Sequence, residues 1–202
     1  MRIIGGTAGG RILKVPKGQG VRPTPDLVRQ AIFNSLGPVV NDARVLELFG
    51  GTGALSLECL SRGAREAVCV EKSAKHAGFI RDNARQASLA DARFHIRVMD
   101  AFAALKQMAA AGTRFDLVLA DPPYGEKNLT QRSQSFAQKV LDDAHLPGLL
   151  AADGLLVLGH ARRDRLELPS TWRERKALKH GDSIFLLLAP ASPAKAHAGP
   201  ET

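Results

Sequence analysis

The middle of the chain alternates short apolar segments with stretches of helical length, and this alternation constrains the fold more than any other feature. Strands separated by helices are joined by right-handed crossovers, which produce a parallel sheet covered by helices on both faces. We therefore expect an α/β fold. The predicted strands are Arg44–Phe49, Glu66–Glu71, Arg93–Met99, Phe115–Ala120 and Gly154–Gly159, and the predicted helices are Ala54–Arg62, Ala74–Ala87, Ala101–Ala111 and Gln131–Ala144.

The end of the chain departs from this alternation. Two strand-like segments, Trp172–Lys179 and Asp182–Leu188, flank His180-Gly181. A glycine between two such segments predicts an antiparallel hairpin, which would close one edge of the sheet.

The beginning of the chain predicts a small extension. Short apolar segments at residues 3–4 and 11–13 are separated by glycines and predict a hairpin. A helix should follow, with Thr24 as its N-cap and Pro25 at its first position, and run to about Leu36. We expect three regions, namely the extension at residues 1–40, a main domain at residues 41–189 and a disordered tail at residues 190–202.

Length and composition favour one globular domain. A chain of 202 residues, 45% of them hydrophobic, is long enough to bury one core. It contains no apolar run of about 18 residues and no apolar segment near its start that resembles a secretory signal, so we expect a cytoplasmic protein away from membranes. Cys59 and Cys69 lie in apolar stretches and are expected to be free thiols, and no histidine stands at metal-ligand spacing from them, so we expect no metal.

The chain is basic, with a formal net charge of +8, and its cations are concentrated in residues 1–30 and 160–180. Clustered cations bind nucleic-acid phosphates largely by releasing counterions. A solvated face would give the same pattern, so charge alone does not decide. The candidate RNA-binding residues are Arg2, Arg11, Arg22 and Arg29, with His160 and His180 as less favoured candidates for phosphate contacts.

The segment Val45–Ala54 reads VLELFGGTGA, which is a strand, a glycine turn and the start of a helix. Glycines let the backbone approach a ligand closely and the helix start presents N–H donors, which suits a nucleotide-like cofactor. Ser56 stands where a dinucleotide fingerprint has its third glycine. The Glu47 carboxylate would repel a pyrophosphate and attract a sulfonium, while Glu71 suits a ribose diol in either case. The turn therefore favours S-adenosylmethionine over a nicotinamide cofactor.

The tetrapeptide Asp121-Pro122-Pro123-Tyr124 follows the fourth strand directly. Open α/β sheets bind ligands at this edge, and the prolines restrict the backbone, so the carboxylate and nearby carbonyls are held rigidly. Asp121 and the Pro122 carbonyl can accept both N–H bonds of a planar exocyclic amine while Tyr124 stacks on its ring. Holding the reactants in this way removes up to roughly 7–11 kcal/mol of a barrier, which favours amine methylation. A strand-ending turn with an incidental aspartate is the alternative.

The glycine turn and this tetrapeptide together resemble the amino-directed class of S-adenosylmethionine-dependent methyltransferases. That class carries Asp or Asn-Pro-Pro-aromatic after its fourth strand. A narrower resemblance is to the bacterial small-subunit rRNA guanine-N2 methyltransferase family, RsmD, over about residues 1–189. The segments that carry it are RIIGG at 2–6, VRPTPDLVRQAIFNSL at 21–36, VLELFGGTGALSLECLSRGA at 45–64, VEK at 70–72 and DPPY at 121–124.

The resemblance implies a Rossmann-like class I methyltransferase with a seven-stranded, mostly parallel sheet, an antiparallel C-terminal hairpin and a small N-terminal extension. It implies methylation of one guanine N2 in 16S rRNA within an assembling small subunit, and we expect the protein to be a monomer. The chain departs from the family pattern at Gly9 and at Gly159-His160. By position, the cofactor residues are Arg22, Thr24, Glu47, Phe49, Gly51, Thr52, Gly53, Glu71, Lys72, Asp100 and Ala101, and the catalytic residues are Asp121, Pro122, Pro123 and Tyr124.

Three other functions remain compatible with these residues. An adenine-N6 methyltransferase acting on DNA or RNA would use the same tetrapeptide, because both amines suit it. A non-catalytic rRNA-binding assembly factor and a nicotinamide oxidoreductase are the other two. Outside the motifs, we expect Trp172 in the hairpin core, Asp116 as a hydrogen-bonded structural residue, and Asp100 as a helix N-cap in addition to its cofactor role.

Overall fold

The computed structural model describes residues 1–16, 24–124 and 132–191. Within those ranges a short 3₁₀ turn at Gly37–Val40 accompanies six helices and seven strands. The helices are α1 (Asp26–Leu36), α2 (Ala54–Ser61), α3 (Ala74–Gln86), α4 (Ala101–Ala110), α5 (Phe136–Asp142) and α6 (Leu146–Leu149). The strands are β1 (Arg44–Leu48), β2 (Glu66–Glu71), β3 (Phe94–Val98), β4 (Phe115–Ala120), β5 (Leu150–Ala161), β6 (Trp172–His180) and β7 (Ser183–Pro190).

The strands form one sheet in the order β3-β2-β1-β4-β5-β7-β6. Strands β1 to β5 are parallel, and β7 runs antiparallel to both of its neighbours, β5 and β6. The predicted mixed sheet with an antiparallel C-terminal hairpin is therefore confirmed. The chain order reverses between β1 and β4, and the carboxyl ends of the strands beside such a reversal form the usual ligand crevice of an open α/β sheet.

Helices cover both faces of the sheet. Helices α1, α2 and α3 pack on one face, and α4, α5 and α6 pack on the other. The central strands are consequently buried on both sides, which explains why their sequences are almost continuously apolar. Asp116 is the polar exception in β4. Its Oδ2 accepts a hydrogen bond from Arg44 N at 2.8 Å, which confirms the prediction that Asp116 is a hydrogen-bonded structural residue.

The extension folds against the outer side of α2. Its hairpin is confined to one antiparallel bridge, Arg2 with Ile12, and a few neighbouring backbone hydrogen bonds. The Glu58 carboxylate of α2 accepts the backbone N–H groups of Ile4 at 2.7 Å and Gly5 at 2.9 Å. All eight residues of α2 are buried because the extension and the sheet enclose it from opposite sides.

Three predicted boundaries are wrong. Pro25, not Thr24, is the N-cap of α1, and the Thr24 side chain makes no capping hydrogen bond. The helix predicted at Gln131–Ala144 begins only at Phe136, because Ser135 caps it by accepting the Gln138 N–H; residue 131 lies outside the described ranges. Strand β5 begins at Leu150, four residues earlier than predicted.

Several single-residue predictions concern the core. Trp172 is buried in the hairpin and its indole N–H donates to the Leu141 carbonyl at 2.9 Å, which confirms its core role. Cys59 and Cys69 are buried free thiols, as predicted, and burial raises the pKa of both above the ordinary value. In the described ranges, every helix is too short or too polar to cross a membrane. Of the tail predicted at residues 190–202, Pro190 belongs to β7 instead, and residues 192–202 lie outside those ranges.

Candidate active site

A cavity of about 1230 Å³ opens at the carboxyl edge of the sheet, where the strand order reverses. The turns after β1, β2, β3 and β4 supply Gly51, Glu71, Asp100 and Asp121 to its wall. Small-molecule sites usually enclose about 300–1,000 Å³, so this cavity has room for a nucleotide-sized cofactor and a further ring. The structure thus brings the glycine turn and the Asp-Pro-Pro-Tyr segment to one space.

The turn after β1 depends on left-handed backbone conformations. Gly51 has φ +55° and lines the cavity, in the left-handed region that favours glycine. Gly53 has φ +74° and serves as the N-cap of α2, and a Cβ there would stand 2.7 Å from Ile80 Cγ2 of α3. Gly53 does not line the cavity, so its role in this structure is close helix packing. Phe49 and Thr52, also predicted cofactor residues, line the wall.

Glu71 ends β2 with both carboxylate oxygens fixed. Its Oε2 accepts from Gly51 N at 2.8 Å and its Oε1 accepts from Ser73 N at 2.7 Å, with His76 Nδ1 at 3.7 Å. Each carboxylate oxygen has a second lone pair, so Glu71 remains able to accept hydroxyl hydrogen bonds from a ligand. The carboxylate therefore joins the first two turns of the site and presents acceptors to the cavity.

Asp100 follows β3 and caps α4, as predicted. Its Oδ1 accepts from Phe102 N at 3.0 Å and Ala103 N at 3.3 Å. Its Oδ2 lies 3.6 Å from Lys72 Nζ, a largely exposed side chain. Capping thus occupies one oxygen and leaves the other at the cavity wall, which Lys72 and Ala101 also line.

Glu47 lies beneath the turn and is only 3% exposed. Its Oε2 accepts from Ser56 N at 3.0 Å and lies 3.4 Å from Cys69 Sγ. Burial raises the pKa of Glu47 to about 7, so the carboxylate is only partly ionised at neutral pH. A cation in the adjacent cavity would favour the ionised form, because opposite charges lower a carboxylate pKa. The attraction of Glu47 for a sulfonium, expected from the sequence, requires an ionised carboxylate. Full ionisation of Glu47 in this structure therefore requires a cationic ligand.

Asp121 is enclosed by two elements that lie far from it in sequence. Thr24 Oγ1 of the extension donates to its Oδ2 at 2.5 Å. On the other side the carboxylate packs on Gly159 of β5, where an added Cβ would stand 2.5 Å from Oδ1. Burial raises the pKa of Asp121 to about 6, and the Thr24 hydrogen bond opposes that rise. Thr24 lines the cavity, and its contact with Asp121 explains why it does not cap α1.

The tip of the β6–β7 hairpin forms a wall that the sequence interpretation did not assign to the site. Tyr124 donates from its hydroxyl to Ser183 Oγ at 2.9 Å, which fixes the ring beside the cavity. The predicted hairpin did contain a signal for this wall. Because β7 runs antiparallel to β5, the first residue of β7 lies at the carboxyl edge of the sheet. The wall residues missed in this region are Arg163, Gly181, Asp182 and Ser183, together with His180, which was proposed only for phosphate.

An aromatic cluster closes another side of the cavity. The rings of Phe49, Phe102 and Phe136 stand 5.8–6.4 Å apart between centroids. Phe49 and Phe136 line the cavity, and Phe136 is 40% exposed despite its size. The sequence signalled only Phe49, because Phe102 and Phe136 lie in the first turns of helices whose packing at this edge depends on the tertiary fold.

The arginines predicted to bind RNA differ in burial and in ion pairing. Arg29 is fully buried and binds Asp26 Oδ1 at 2.6 Å, so the expectation that it contacts RNA is wrong. Arg2 is exposed but paired with Asp26 at 3.0 Å, while Arg11 is exposed; Arg22 lies outside the described residues.

The phosphate role considered for His160 is also wrong. The residue is only 6% exposed and its Nδ1 lies 3.0 Å from the Ala161 carbonyl. Burial lowers the pKa of His160, which disfavours the cationic form that a phosphate would attract.

Comparison with known proteins agrees with the fold. The chain is 36% identical over 173 residues to "Putative rRNA methyltransferase YlbH" of Bacillus subtilis, covering 85% of this chain and 87% of that protein. It is 40% identical over 124 residues to ribosomal RNA small subunit methyltransferase D of Escherichia coli, covering 61% and 60% of the two chains. Among solved structures, "Putative methyltransferase yhhF" of Escherichia coli aligns with a TM-score of 0.75 and 31% identity, over 96% of this chain and 99% of that one. A family model described as conserved hypothetical protein 95 matches residues 1–189, and the chain belongs to that family.

Proposed function

We propose that this protein transfers a methyl group from S-adenosylmethionine to the exocyclic N2 of a guanine in 16S rRNA. The observation that carries the proposal is one cavity lined both by Asp121-Pro122 and by two carboxylates suited to adenosine, Glu71 and Asp100. The names of two relatives, one from Bacillus subtilis and one from Escherichia coli, support rRNA as the substrate class.

The donor groups present fit this cofactor. Bound S-adenosylmethionine would supply an electrophilic methyl group attached to a positively charged sulfur. Glu71 would accept the ribose hydroxyls and Asp100 the adenine amine, because each retains acceptor capacity beside its backbone hydrogen bonds. Glu47, with its pKa near neutrality, would become fully ionised beside a positive charge and so contribute to binding it.

Asp121 and Pro122 would hold the target amine. An aromatic amine is a weak nucleophile because its lone pair is delocalised into the ring. The Asp121 carboxylate and the Pro122 carbonyl would accept one N–H each, which favours a pyramidal nitrogen and directs its lone pair. The methyl–sulfur bond of bound S-adenosylmethionine would be the bond that breaks, and Asp121 or water would accept the proton that the amine gives up. With its pKa near 6, Asp121 is mainly ionised at neutral pH and available as an acceptor.

Tyr124 would stack on the guanine. Its hydroxyl is anchored to Ser183, so the ring is oriented before the base arrives and little ordering remains to be done on binding. A base presented to this pocket must leave its stack or come from a loop, at a cost of a few kcal/mol. We extend the proposal to an assembling small subunit as the particle that presents the guanine, in the cytoplasm, to a monomeric enzyme.

Nucleoside analysis tests the proposal. Small subunits from cells lacking this protein would be incubated with the purified chain and methyl-labelled S-adenosylmethionine, and the 16S rRNA digested for mass spectrometry. The expected product is N2-methylguanosine at one position that is unmethylated in the deletion strain. Labelled N6-methyladenosine would support the adenine alternative, and absence of transfer to any substrate particle would support the non-catalytic one.

A further inference from the structure

We propose that the RNA docks on the edge strand β6 and the loop before it, a surface built from Arg162, Arg165, Arg173, Arg175 and Lys179 and here called the hairpin surface. This inference rests on the proposed function, since it concerns how the same site receives its RNA. It replaces the N-terminal docking face expected from the sequence, one of whose arginines is buried in the core.

The five cations of the hairpin surface are exposed and uncompensated. Each is solvent-exposed, and none forms an ion pair in the part of the chain that the structure describes. By contrast, the N-terminal cations Arg2 and Arg29 are both held by Asp26. A cation already neutralised by a carboxylate releases fewer counterions on meeting a phosphate, so the hairpin surface offers the stronger electrostatic attraction.

The register of β6 places its cations on both faces of the sheet. Lys179 pairs with Ile184, and Arg173 pairs with Ala189, five positions further along β7. An odd separation in register puts the two side chains on opposite faces of the sheet, and Arg175 lies at the irregularity between Glu174 and Lys176. Since β6 is the last strand of the sheet, a backbone that follows this edge would meet cations from both faces.

The hairpin surface is continuous with the cavity. His180 ends β6 and lines the cavity with Gly181, Asp182 and Ser183, and Ser183 holds the Tyr124 hydroxyl. A base stacked on Tyr124 therefore leaves its flanking nucleotides beside the start of the cationic strand. Arg163, in the loop before β6, also lines the cavity and extends the cationic surface to its rim.

The acidic residues of this region do not cancel its charge. Residues 162–182 contain seven cations and four acids, which are Asp164, Glu167, Glu174 and Asp182. Glu167 is paired with Arg132 at 2.9 Å, and Asp182 belongs to the cavity wall. Glu174 is the exposed acid on β6 itself, and it stands between Arg173 and Arg175. The strand therefore keeps a net positive charge along its outer edge.

Salt-dependent RNA binding tests the hairpin surface. We would measure the affinity of a fluorescein-labelled single-stranded RNA oligonucleotide by anisotropy over a series of salt concentrations. The test variant carries Arg173→Gln, Arg175→Gln and Lys179→Gln, which remove charge without adding repulsion. A matched control carries Arg81→Gln, Arg97→Gln and Lys106→Gln, three exposed cations near the opposite edge of the sheet that form no ion pair with any described residue. A third variant carries Arg2→Gln and Arg11→Gln.

The hairpin variant should lose about two units of the slope of log affinity against log salt, since each single-strand phosphate contact contributes about 0.7. The control should keep the wild-type slope, and the KM for small subunits should rise in the hairpin variant while S-adenosylmethionine affinity stays unchanged. An unchanged slope in the hairpin variant, or an equal loss in the control or the N-terminal variant, would overturn the inference. Methyl transfer by the wild type is measured alongside. If the wild type transfers methyl groups but the salt slope of the hairpin variant is unchanged, the docking surface alone is rejected. If the wild type transfers none but the slope of the hairpin variant is reduced, the proposed function is rejected and the docking surface stands.

Discussion

At the residue scale, the protonation state of Asp121 is set by neighbours that take no part in the reaction. Burial just after β4 favours the neutral acid, and the Thr24 hydroxyl favours the carboxylate. Charged and titratable groups on the surrounding turns line the same cavity, but the hydrogen bond from Thr24 is the direct polar contact of the carboxylate among the described residues. The charged or titratable cavity residues are Glu47, Glu71, Lys72, His76, Asp100, Tyr124, Arg163, His180 and Asp182.

Replacing Thr24 with Val should move the pH dependence of methyl transfer. Asp121 accepts hydrogen bonds from the amine only when ionised, so the rate should rise as pH increases through about 6 in the wild type. Loss of the Thr24 hydroxyl removes the contact that favours the ionised form, so the acid limb of kcat/KM should shift to higher pH. The measurement is a pH–rate profile with small subunits as substrate.

The conservative variant Thr24→Ser provides the control, because it keeps the hydroxyl. Its acid limb should coincide with that of the wild type. A Val variant whose rate falls equally at every pH would show that Thr24 acts only through structure.

At the element scale, the positions of most strands could be predicted from the sequence, whereas the contacts of the N-terminal extension could be predicted only in part. Strands β1, β2 and β4 are mostly apolar and lie between clear turn signals, so their positions follow from local sequence. The Thr24 hydroxyl instead binds a residue 97 positions away, which no local capping rule detects. The burial of Arg29 did leave a signal, since Arg29, Ile32, Phe33 and Leu36 share the i, i+3, i+4, i+7 spacing of a core-facing helix side.

Replacing Arg29 with Ala should loosen the attachment of α1 to α2. The buried guanidinium joins Asp26 at 2.6 Å and the Arg2 carbonyl at 2.5 Å, and lies 3.6 Å from the buried Glu58. The substitution removes one cationic partner of the buried Glu58, which keeps Arg62 at 2.7 Å, so we expect the free energy of unfolding to fall by about 3 kcal/mol, at the lower end of the cost of breaking a buried pair. Urea denaturation measures this loss.

Arg2→Ala is the matched control for that change. Arg2 contacts the same Asp26 from the surface with its side chain 64% exposed, so its loss should cost at most about 1 kcal/mol. Equal destabilisation by the two substitutions would contradict the account of Arg29.

Replacing Gly159 with Ala should disturb Asp121 through β5. The new methyl group would stand 2.5 Å from Asp121 Oδ1 and 2.7 Å from Phe185 Cε1. Overpacking of this kind costs about 1–3 kcal/mol, and if the carboxylate moves to relieve it, kcat should fall by about tenfold or more. Single-turnover methyl transfer would report the loss, while calorimetry should find S-adenosylmethionine affinity unchanged.

The same substitution at Gly78 on α3 has nothing within 4 Å of the added carbon. It should leave kcat unchanged and favour the helix by about 1 kcal/mol. Full activity in Gly159→Ala would show that this strand does not position Asp121. The space that Asp121 and Phe185 occupy therefore favours a glycine at this position of β5.

At the scale of the whole molecule, the site is the meeting point of segments that the chain order keeps apart. The sequence predicted the four strand ends that supply Gly51, Glu71, Asp100 and Asp121, because the carboxyl ends of parallel strands share one edge. It did not predict which cations remain available for RNA, since that depends on ion pairs formed only after folding. The hairpin tip was accessible in principle, because an antiparallel strand next to β5 must begin at that same edge.

The central claim is that Asp121 holds the amine and is not needed for cofactor binding. The most direct test is labelled methyl transfer to small subunits by Asp121→Ala, with S-adenosylmethionine affinity measured by calorimetry on the same preparation. The variant should bind the cofactor about as tightly as the wild type and show no detectable transfer. Methyl transfer at the wild-type rate by Asp121→Ala would contradict this claim.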